Sequence, residues 1–132
     1  MKILIADDEM ITRKIIELRL KKDGHEVIVT SNGQEALEQI SLQDPDMIIA
    51  DIMMPFTSGL EIVSVVKRGG HHRKVPIIIL SSMGQENVVL EAFNLGADDY
   101  ITKPFSPNEL SMRVKRLTPA ATNLFVKINE RT

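Results

Sequence analysis

The stretch Lys2-Ile3-Leu4-Ile5-Ala6-Asp7-Asp8 contains four consecutive apolar residues, which are followed directly by two acidic residues. A second stretch, Met47 to Asp51, repeats the pattern and ends on one carboxylate. Short apolar runs that are bounded by polar residues are typical of buried strands. Each of these two strands is therefore predicted to present acidic side chains at its carboxyl end.

Two further apolar runs end on polar residues of other kinds. The run Val75 to Leu80 ends on Ser81, and the run Tyr100 to Thr102 ends on Lys103. In an open parallel sheet the carboxyl ends of the strands share one edge, and ligands bind in the crevice there. We therefore expect one site at this edge, formed by the residues that end or follow the strands: Asp7, Asp8, Asp51, Ser81 and Lys103.

The apolar runs alternate with amphipathic stretches five times, which predicts repeated strand–helix units. Such units build an α/β fold in which a parallel sheet carries helices on both faces. The first helix is predicted from about Met10 to Lys22, and the last from Ser106-Pro107 to about Leu117. The apolar positions of the first helix roughly follow helical spacing: Ile11, Ile15, Leu18 and Leu20.

Length and composition exclude several classes of protein. The chain has 132 residues, enough for one domain with a real core, and carries a net charge of −2. This balance gives no global basic field, so we expect no direct nucleic-acid binding. No cysteine is present, which excludes disulfides and thiol catalysis. No apolar run reaches membrane-spanning length, and we expect a cytoplasmic protein without a membrane partner.

The carboxylates at the predicted edge favour magnesium and phosphoryl chemistry. Adjacent buried carboxylates repel each other, and a hard divalent cation compensates that charge. A carboxylate beside such a cation is also a possible nucleophile that forms an aspartyl phosphate. Lys103 adds a compact positive charge for phosphoryl oxygens, and the Ser81 hydroxyl offers a further hydrogen bond.

These residues give the chain a resemblance to the receiver domain of bacterial two-component response regulators. The resemblance covers about Lys2 to Leu117, and its motifs match in order and spacing. The motifs are Asp7-Asp8, Asp51 followed by Met54-Pro55 and Gly59, Ser81, Gly96-Ala97-Asp98-Asp99-Tyr100, and Lys103-Pro104-Phe105. The resemblance implies a doubly wound five-stranded parallel sheet with strand order 2-1-3-4-5.

The resemblance also implies roles for the acidic residues. Asp51 is expected to accept a phosphoryl group from a histidine kinase or a phosphotransfer protein. Asp8 and Asp51 are expected to bind Mg²⁺ directly, and Asp7 mainly through water. The backbone carbonyl of Met53 is expected to be a further ligand of the metal.

Three residues are expected to respond to the phosphoryl group. The resemblance makes Lys103 its cationic partner, Ser81 the switch hydroxyl and Tyr100 the aromatic side chain that turns inward when Ser81 moves. The Lys103-Pro104 peptide bond is expected to be cis. The fourth helix, fifth strand and fifth helix are expected to shift between two packings and so to bind a downstream protein or form a homodimer.

The charges on that face match a homodimer only in part. Asp98, Asp99, Arg113 and Arg116 fit the charge-pair dimer of one DNA-binding subclass, whereas Val89 and Asn94 replace two of its charged residues. We expect residues 1–117 to form the receiver domain. Residues 118–132 are expected to be a tail or linker, with no output domain present.

Three alternatives remain open at this stage. An aspartyl-phosphate phosphohydrolase of a common class needs a second aspartate two residues after the nucleophile, where this chain has Met53. A flavodoxin-like cofactor binder needs a glycine-rich phosphate loop after the first strand, where this chain has Asp7-Asp8. The third alternative is a receiver-like module that docks without being phosphorylated.

Overall fold

The computed structural model describes residues 1–70 and 72–118. The segment beyond residue 118, predicted as a tail or linker, lies outside the described residues. Within them five strands alternate with five helices. The strands are β1 (Lys2–Ala6), β2 (Glu26–Thr30), β3 (Met47–Asp51), β4 (Ile77–Ser81) and β5 (Asp99–Thr102). The helices are α1 (Met10–Lys22), α2 (Gly33–Gln43), α3 (Gly59–Lys67), α4 (Glu86–Leu95) and α5 (Pro107–Arg116).

The strands form one parallel sheet in the order β2-β1-β3-β4-β5, so the predicted fold class and strand order are confirmed. The register pairs Ala6 of β1 with Ala50 of β3, which brings the carboxyl ends of these two strands level. β4 begins two residues later than the apolar run predicts and includes Ser81. The sheet therefore holds Asp51 and Ser81 as the last residues of neighbouring strands.

Two apolar cores lie on the two faces of the sheet. One core packs α2, α3 and α4 against side chains such as Ile48 and Ile77, and the other packs α1 and α5 against side chains such as Ile49 and Ile78. β1, β3 and β4 are buried on both faces, as expected for central strands of a parallel sheet. Burial of each of these isoleucine side chains contributes roughly 1.5–3 kcal/mol to the stability of the fold. The two cores therefore hold the sheet, and with it the residues at its edge, in place.

Of the four apolar positions of α1 that follow helical spacing, only Leu20 is buried. Ile16 and Leu20, one helical turn apart, lie against the sheet and are fully buried. Ile11, Ile15 and Leu18 are 73%, 43% and 58% exposed. α1 carries two apolar stripes, and helical periodicity alone does not tell which of them meets the core.

Hydrogen-bonding side chains begin three of the helices. Asn32, Ser58 and Ser106 each accept a hydrogen bond from the backbone N–H three residues on, over 2.8, 3.3 and 3.1 Å. Such caps satisfy N–H groups that have no partner within the helix. None of the helices in the described part of the chain has both the length and the apolar character that a bilayer span requires.

Candidate functional site

Three carboxylates meet at the carboxyl edge of the sheet. Asp7 and Asp8 directly follow β1, and Asp51 ends the neighbouring β3. One carboxylate oxygen from each of the three lies within 4.8 Å of the others. Asp7 and Asp51 are buried, whereas Asp8 is exposed. The sheet therefore brings together the acidic residues that the sequence predicts at one edge.

Lys103 supplies the positive charge of this cluster. Its Nζ lies 2.5 Å from Asp51 Oδ2, 2.9 Å from Asp7 Oδ2 and 2.8 Å from Glu9 Oε1. The backbone N–H of Lys103 donates to the carbonyl oxygen of Ser81 over 2.7 Å, which holds the residue beside β4. Burial disfavours the charged amine, but the hydrogen bonds to Asp51 and Glu9, together with the ionic contact with Asp7, outweigh burial and raise the pKa of Lys103. The amine is therefore a permanent cation at the site.

The Lys103-Pro104 peptide bond is cis, as the resemblance implies. It directly follows the residue whose amine enters the carboxylate cluster.

Asp7 is fully buried and incompletely paired. Its Oδ1 accepts a hydrogen bond from the backbone N–H of Glu9 over 2.8 Å. Among the described residues, its Oδ2 has the ionic contact with Lys103 but no partner with hydrogen-bond geometry. Burial raises the pKa of Asp7, and the nearby Asp51 charge adds to the rise, against the lowering by Lys103 and the Glu9 N–H. The folded protein therefore disfavours the ionised form of Asp7.

The substitution Asp7→Asn is expected to stabilise the metal-free protein at neutral pH. The folded-state pKa of Asp7 lies above its ordinary 3.8. The protonated form of Asp7 therefore favours the folded state. This contribution to the free energy of unfolding is fully present below the unfolded pKa and is lost as the pH rises through the folded pKa. At pH 7 the substitution should raise the free energy of unfolding by about 1 kcal/mol, the size of a typical stabilising substitution.

Urea unfolding in the presence of a chelator checks this expectation. The advantage of Asp7→Asn should shrink as the pH is lowered towards 3.8. Glu38→Gln, which neutralises an exposed acid on α2, is the matched control and should change stability much less. An equal gain from both substitutions would show that overall charge, and not the burial of Asp7, is responsible.

The donor set of the cluster fits a hard cation. Magnesium prefers oxygen ligands and keeps several waters. Asp7 offers a buried oxygen without a hydrogen-bond partner among the described residues, and the clustered Asp8 and Asp51 offer two further carboxylates. One charged amine does not neutralise three carboxylates. The residues present therefore fit Mg²⁺ chemically.

The loop between β3 and α3 orients Asp51. The backbone N–H of Met53 donates to Asp51 Oδ1 over 2.9 Å, while the Met53 side chain is 57% exposed. Gly59 closes the loop, because its N–H donates to Ile52 and a Cβ there would lie 2.4 Å from the Asp51 carbonyl oxygen. Gly33 at the start of α2 meets the same loop, and a Cβ there would lie 1.8 Å from the Thr57 carbonyl oxygen. Two glycines thus allow the loop to pack beside Asp51.

Ser81 and Tyr100 line one groove between α4 and β5. The groove has a volume of about 330 Å³ and is bordered also by Val89 and Phe93. Ser81 is buried, whereas Tyr100 is 41% exposed and meets Phe93 edge-on, with ring centroids 5.9 Å apart. The two residues predicted as the switch therefore share a cavity that connects the site to the α4 surface.

Two residues of the site do not appear among those that the sequence predicts. Glu9 contacts Lys103, and the Arg13 guanidinium donates to the backbone carbonyl oxygen of Asp7 over 2.8 Å. A signal for Glu9 exists, since it extends the acidic run of Asp7 and Asp8. No sequence signal marks Arg13, which lies one turn into α1 and reaches back to the end of β1.

Comparison with known proteins identifies the family. The model of the response regulator receiver domain matches residues 3–115. The chain belongs to this family. Receiver domains of two-component systems are signalling modules and not classical enzymes, and they interact with histidine kinases and downstream effectors.

Relatives of known sequence and structure agree with this assignment. The phosphate regulon transcriptional regulatory protein PhoB of Pseudomonas aeruginosa is 43% identical over 86% of this chain and 49% of its own length. This receiver domain thus spans about half the length of the curated relatives it matches. A putative response regulator from Chloroflexus aurantiacus is 36% identical, with a TM-score of 0.83, over 87% of this chain and 94% of its own. The chemotaxis response regulator CheY4 of Vibrio cholerae is 30% identical, with the same TM-score, over 89% and 98%.

Proposed function

We propose that this receiver domain accepts a phosphoryl group on Asp51, with Mg²⁺ as cofactor, from a histidine kinase or a phosphotransfer protein. The observation that carries the proposal is the contact of the Asp51 carboxylate with Lys103 Nζ inside a cluster of three aspartates. Asp51 has the carboxylate that phosphoryl transfer needs, and the amine beside it suits the negative charge that arrives. The modified domain would then change the face formed by α4, β5 and α5.

The chemistry requires a nucleophile, a leaving group and charge neutralisation. A carboxylate oxygen of Asp51 forms the new bond to phosphorus, while the bond between phosphorus and the imidazole nitrogen of the donor breaks and its electron pair stays on that nitrogen. Lys103 Nζ lies where it is able to pair with a phosphoryl oxygen. Asp7, Asp8, Asp51 and the Met53 carbonyl would hold Mg²⁺. When bound, this ion supplies neutralisation of the phosphoryl oxygens.

The switch follows from competition for polar groups. In this structure Lys103 is engaged by three carboxylates, so a phosphoryl group on Asp51 would compete with Asp7 and Glu9 for its amine. The Ser81 hydroxyl would turn towards the phosphoryl oxygens and leave space in the α4–β5 groove for Tyr100. The modification acts on a partner only if it favours one of the two packings.

The substitution Ser81→Ala is expected to separate phosphorylation from switching. It removes the hydroxyl and leaves Asp51, Lys103 and the carboxylates in place, so the yield of the phosphoryl adduct should fall by less than about threefold, or roughly 0.7 kcal/mol. Amide chemical shifts of α4 and β5 that move upon phosphorylation of the parent protein should move much less in the variant. Ser82→Ala, at the exposed neighbour, is the control. Full shifts in Ser81→Ala would contradict the switch role.

The charges on the face formed by α4, β5 and α5 support a protein partner more than a charge-pair homodimer. Asp99 is buried and pairs within the chain with Arg113 and Arg116, over 3.1 and 2.6 Å. Asp98 pairs with Lys67 of α3 over 3.0 Å. A homodimer through these charges would have to exchange existing ion pairs for new ones, whereas the α4–β5 groove already offers an apolar surface.

The remaining features of the proposal concern extent and location. We assign residues 1–117 to the receiver domain, which is supported by the family match over 3–115 and by the end of α5 at Arg116. Residues 118–132 are assigned to a tail or linker. A cytoplasmic location, no membrane partner and no direct contact with nucleic acid complete the proposal.

Intact-protein mass after incubation with Mg²⁺ and acetyl phosphate tests the proposal. One phosphoryl adduct per chain is expected, and a chelator added before the phosphodonor should prevent its formation. A folded protein that binds Mg²⁺ but gains no adduct would overturn the proposal and would favour a module that docks without phosphorylation.

A further inference from the structure

We propose that Glu9 makes the site discriminate among phosphodonors by their charge, because its carboxylate pairs with the Lys103 amine and repels anionic donors. This inference rests on the proposed transfer of a phosphoryl group to Asp51. Glu9 is a positioning residue in this role, since it acts through Lys103 and through its charge and forms no bond to the transferred group. The role follows from where the carboxylate lies, from what holds it there and from which charges a bound metal would offset.

The Glu9 carboxylate shares the Lys103 amine with Asp51. Glu9 Oε1 accepts a hydrogen bond from Lys103 Nζ over 2.8 Å, and the same nitrogen atom lies 2.5 Å from Asp51 Oδ2. Because one atom contacts both carboxylates, the Glu9 charge lies only a few ångström from Asp51. Of the three acidic partners of Lys103, Glu9 is by far the most exposed, at 61% against 11% for Asp51 and 0% for Asp7. A donor that arrives from solvent therefore meets the Glu9 charge before the buried carboxylates.

The start of α1 does not explain the position of the Glu9 side chain. Glu9 is the N-cap residue, and its backbone carbonyl oxygen accepts from the N–H of Arg13 over 3.0 Å. Its side chain makes no capping hydrogen bond and reaches Lys103, which follows β5. A carboxylate at a helix start also interacts favourably with the helix dipole, but that interaction does not depend on the charge of a donor.

A bound metal would leave the Glu9 charge in place. The three aspartates each place one carboxylate oxygen within 4.8 Å of the others, and among the described residues Glu9 is not part of this group. Mg²⁺ on the aspartates would therefore offset their charges but not that of Glu9. Glu9 pairs with the amine that suits the phosphoryl oxygens, so it lowers the attraction of the site for an anionic donor.

The effect on transfer should depend on the charge of the donor, since the Coulomb energy is proportional to that charge. Acetyl phosphate is a dianion at neutral pH. Phosphoramidate carries a single net negative charge, because its nitrogen is protonated. In each transfer an Asp51 oxygen forms the bond to phosphorus, and the electron pair of the broken bond leaves with acetate or with ammonia. The two donors therefore deliver the same group with different charges.

Rates of adduct formation in the full chain with Mg²⁺, followed by intact-protein mass, test the proposal. Glu9→Gln is expected to react about fivefold faster than the parent with acetyl phosphate and about twofold faster with phosphoramidate. Both gains should shrink in 1 M KCl, where the Debye length is about 3 Å. Glu9→Asp keeps the charge at this edge and should lie closer to the parent than to Glu9→Gln. Glu38→Gln, at an exposed acid of α2, is the control and should react as the parent does.

Mg²⁺ affinity is a second readout, and its expected change has the opposite sign. Without a donor, the Kd of Glu9→Gln for Mg²⁺, measured by calorimetry, should rise by about fivefold, because the ion also carries two charges. A variant whose site is merely disturbed would bind Mg²⁺ less well and also react more slowly with both donors. Weaker Mg²⁺ binding together with faster transfer is therefore a signature of charge.

Failure of this inference is distinguishable from failure of the proposed function. A normal adduct on the parent chain, with equal or slower transfer in Glu9→Gln, would overturn the role of Glu9 and leave Asp51 as the acceptor. Equal gains with the two donors would also overturn it, because the effect would then not depend on donor charge. No adduct on the parent chain would overturn the transfer to Asp51 and, with it, the role of Glu9.

Discussion

Asp51→Asn is expected to abolish the phosphoryl adduct completely. An amide is far less nucleophilic than a carboxylate, and no other carboxylate of the site lies in the same position against both Lys103 and the Met53 N–H. The amide that replaces the carboxylate would keep the size of the side chain, and its oxygen can still accept from the Met53 N–H. The adduct in the presence of Mg²⁺ and acetyl phosphate should fall by at least about a hundredfold, as expected when a covalent nucleophile is removed.

The control for this experiment is an exposed acid away from the site. Glu91→Gln on α4 makes the same change of charge and should leave the adduct at the parent level. Peptide mapping of the parent protein should place the group on Asp51. An adduct that persists in Asp51→Asn would mean that another carboxylate, Asp7 or Asp8 first of all, accepts the group. The assignment of Asp51 would then be wrong.

Gly33→Ala is expected to cause the largest loss of stability among substitutions near the site. The new Cβ would lie 1.8 Å from the carbonyl oxygen and 2.6 Å from the carbonyl carbon of Thr57. Both are backbone atoms, so the β3–α3 loop would have to move. Overpacking of this kind costs about 1–3 kcal/mol or more, and the better helix propensity of alanine offsets up to about 1 kcal/mol. We expect a net loss of about 2 kcal/mol, which lowers Tm by roughly 4–10 °C.

Thermal and urea unfolding of the metal-free protein measure this effect. Gln34→Ala changes the exposed next residue of α2 and should alter stability by less than about 0.5 kcal/mol, as for other surface substitutions. If both variants are equally stable, the close approach of Gly33 to Thr57 does not constrain the loop. A stable Gly33→Ala protein with slowed phosphorylation would instead show that the loop moves at little cost but carries Asp51 out of position.

The sequence predicts the fold well because its signals are repeated. Each strand is a short apolar run, each ends on a polar residue, and the helices between them carry capping residues such as Asn32 and Ser106. Where two signals compete, the prediction fails. α1 has apolar residues on two sides, and Ile16 and Leu20 lie in the core while Ile11, Ile15 and Leu18 stay exposed. Which side of the helix meets the sheet is a tertiary property that periodicity does not contain.

Some residues of the site, like some elements of the fold, could be predicted from the sequence and others could not. Residues at the strand ends were predictable from the rule that parallel strands end at one edge, and the structure brings Asp7, Asp8, Asp51 and Lys103 together there. Glu9 and Arg13 were not, since their roles depend on how far a side chain on α1 reaches back across the edge.

The connection between α3 and β4 divides the site between two parts of the chain. The three aspartates precede it, and Ser81 and Lys103 follow it. Gly69 and Gly70, both with positive φ, sit in this connection, where an added side chain would meet open space. A single cut there would leave acids without their amine in one fragment and the amine without its acids in the other. Phosphorylation would then require that the two fragments reassemble. The amount of phosphoryl adduct would therefore measure how well the two fragments complement each other.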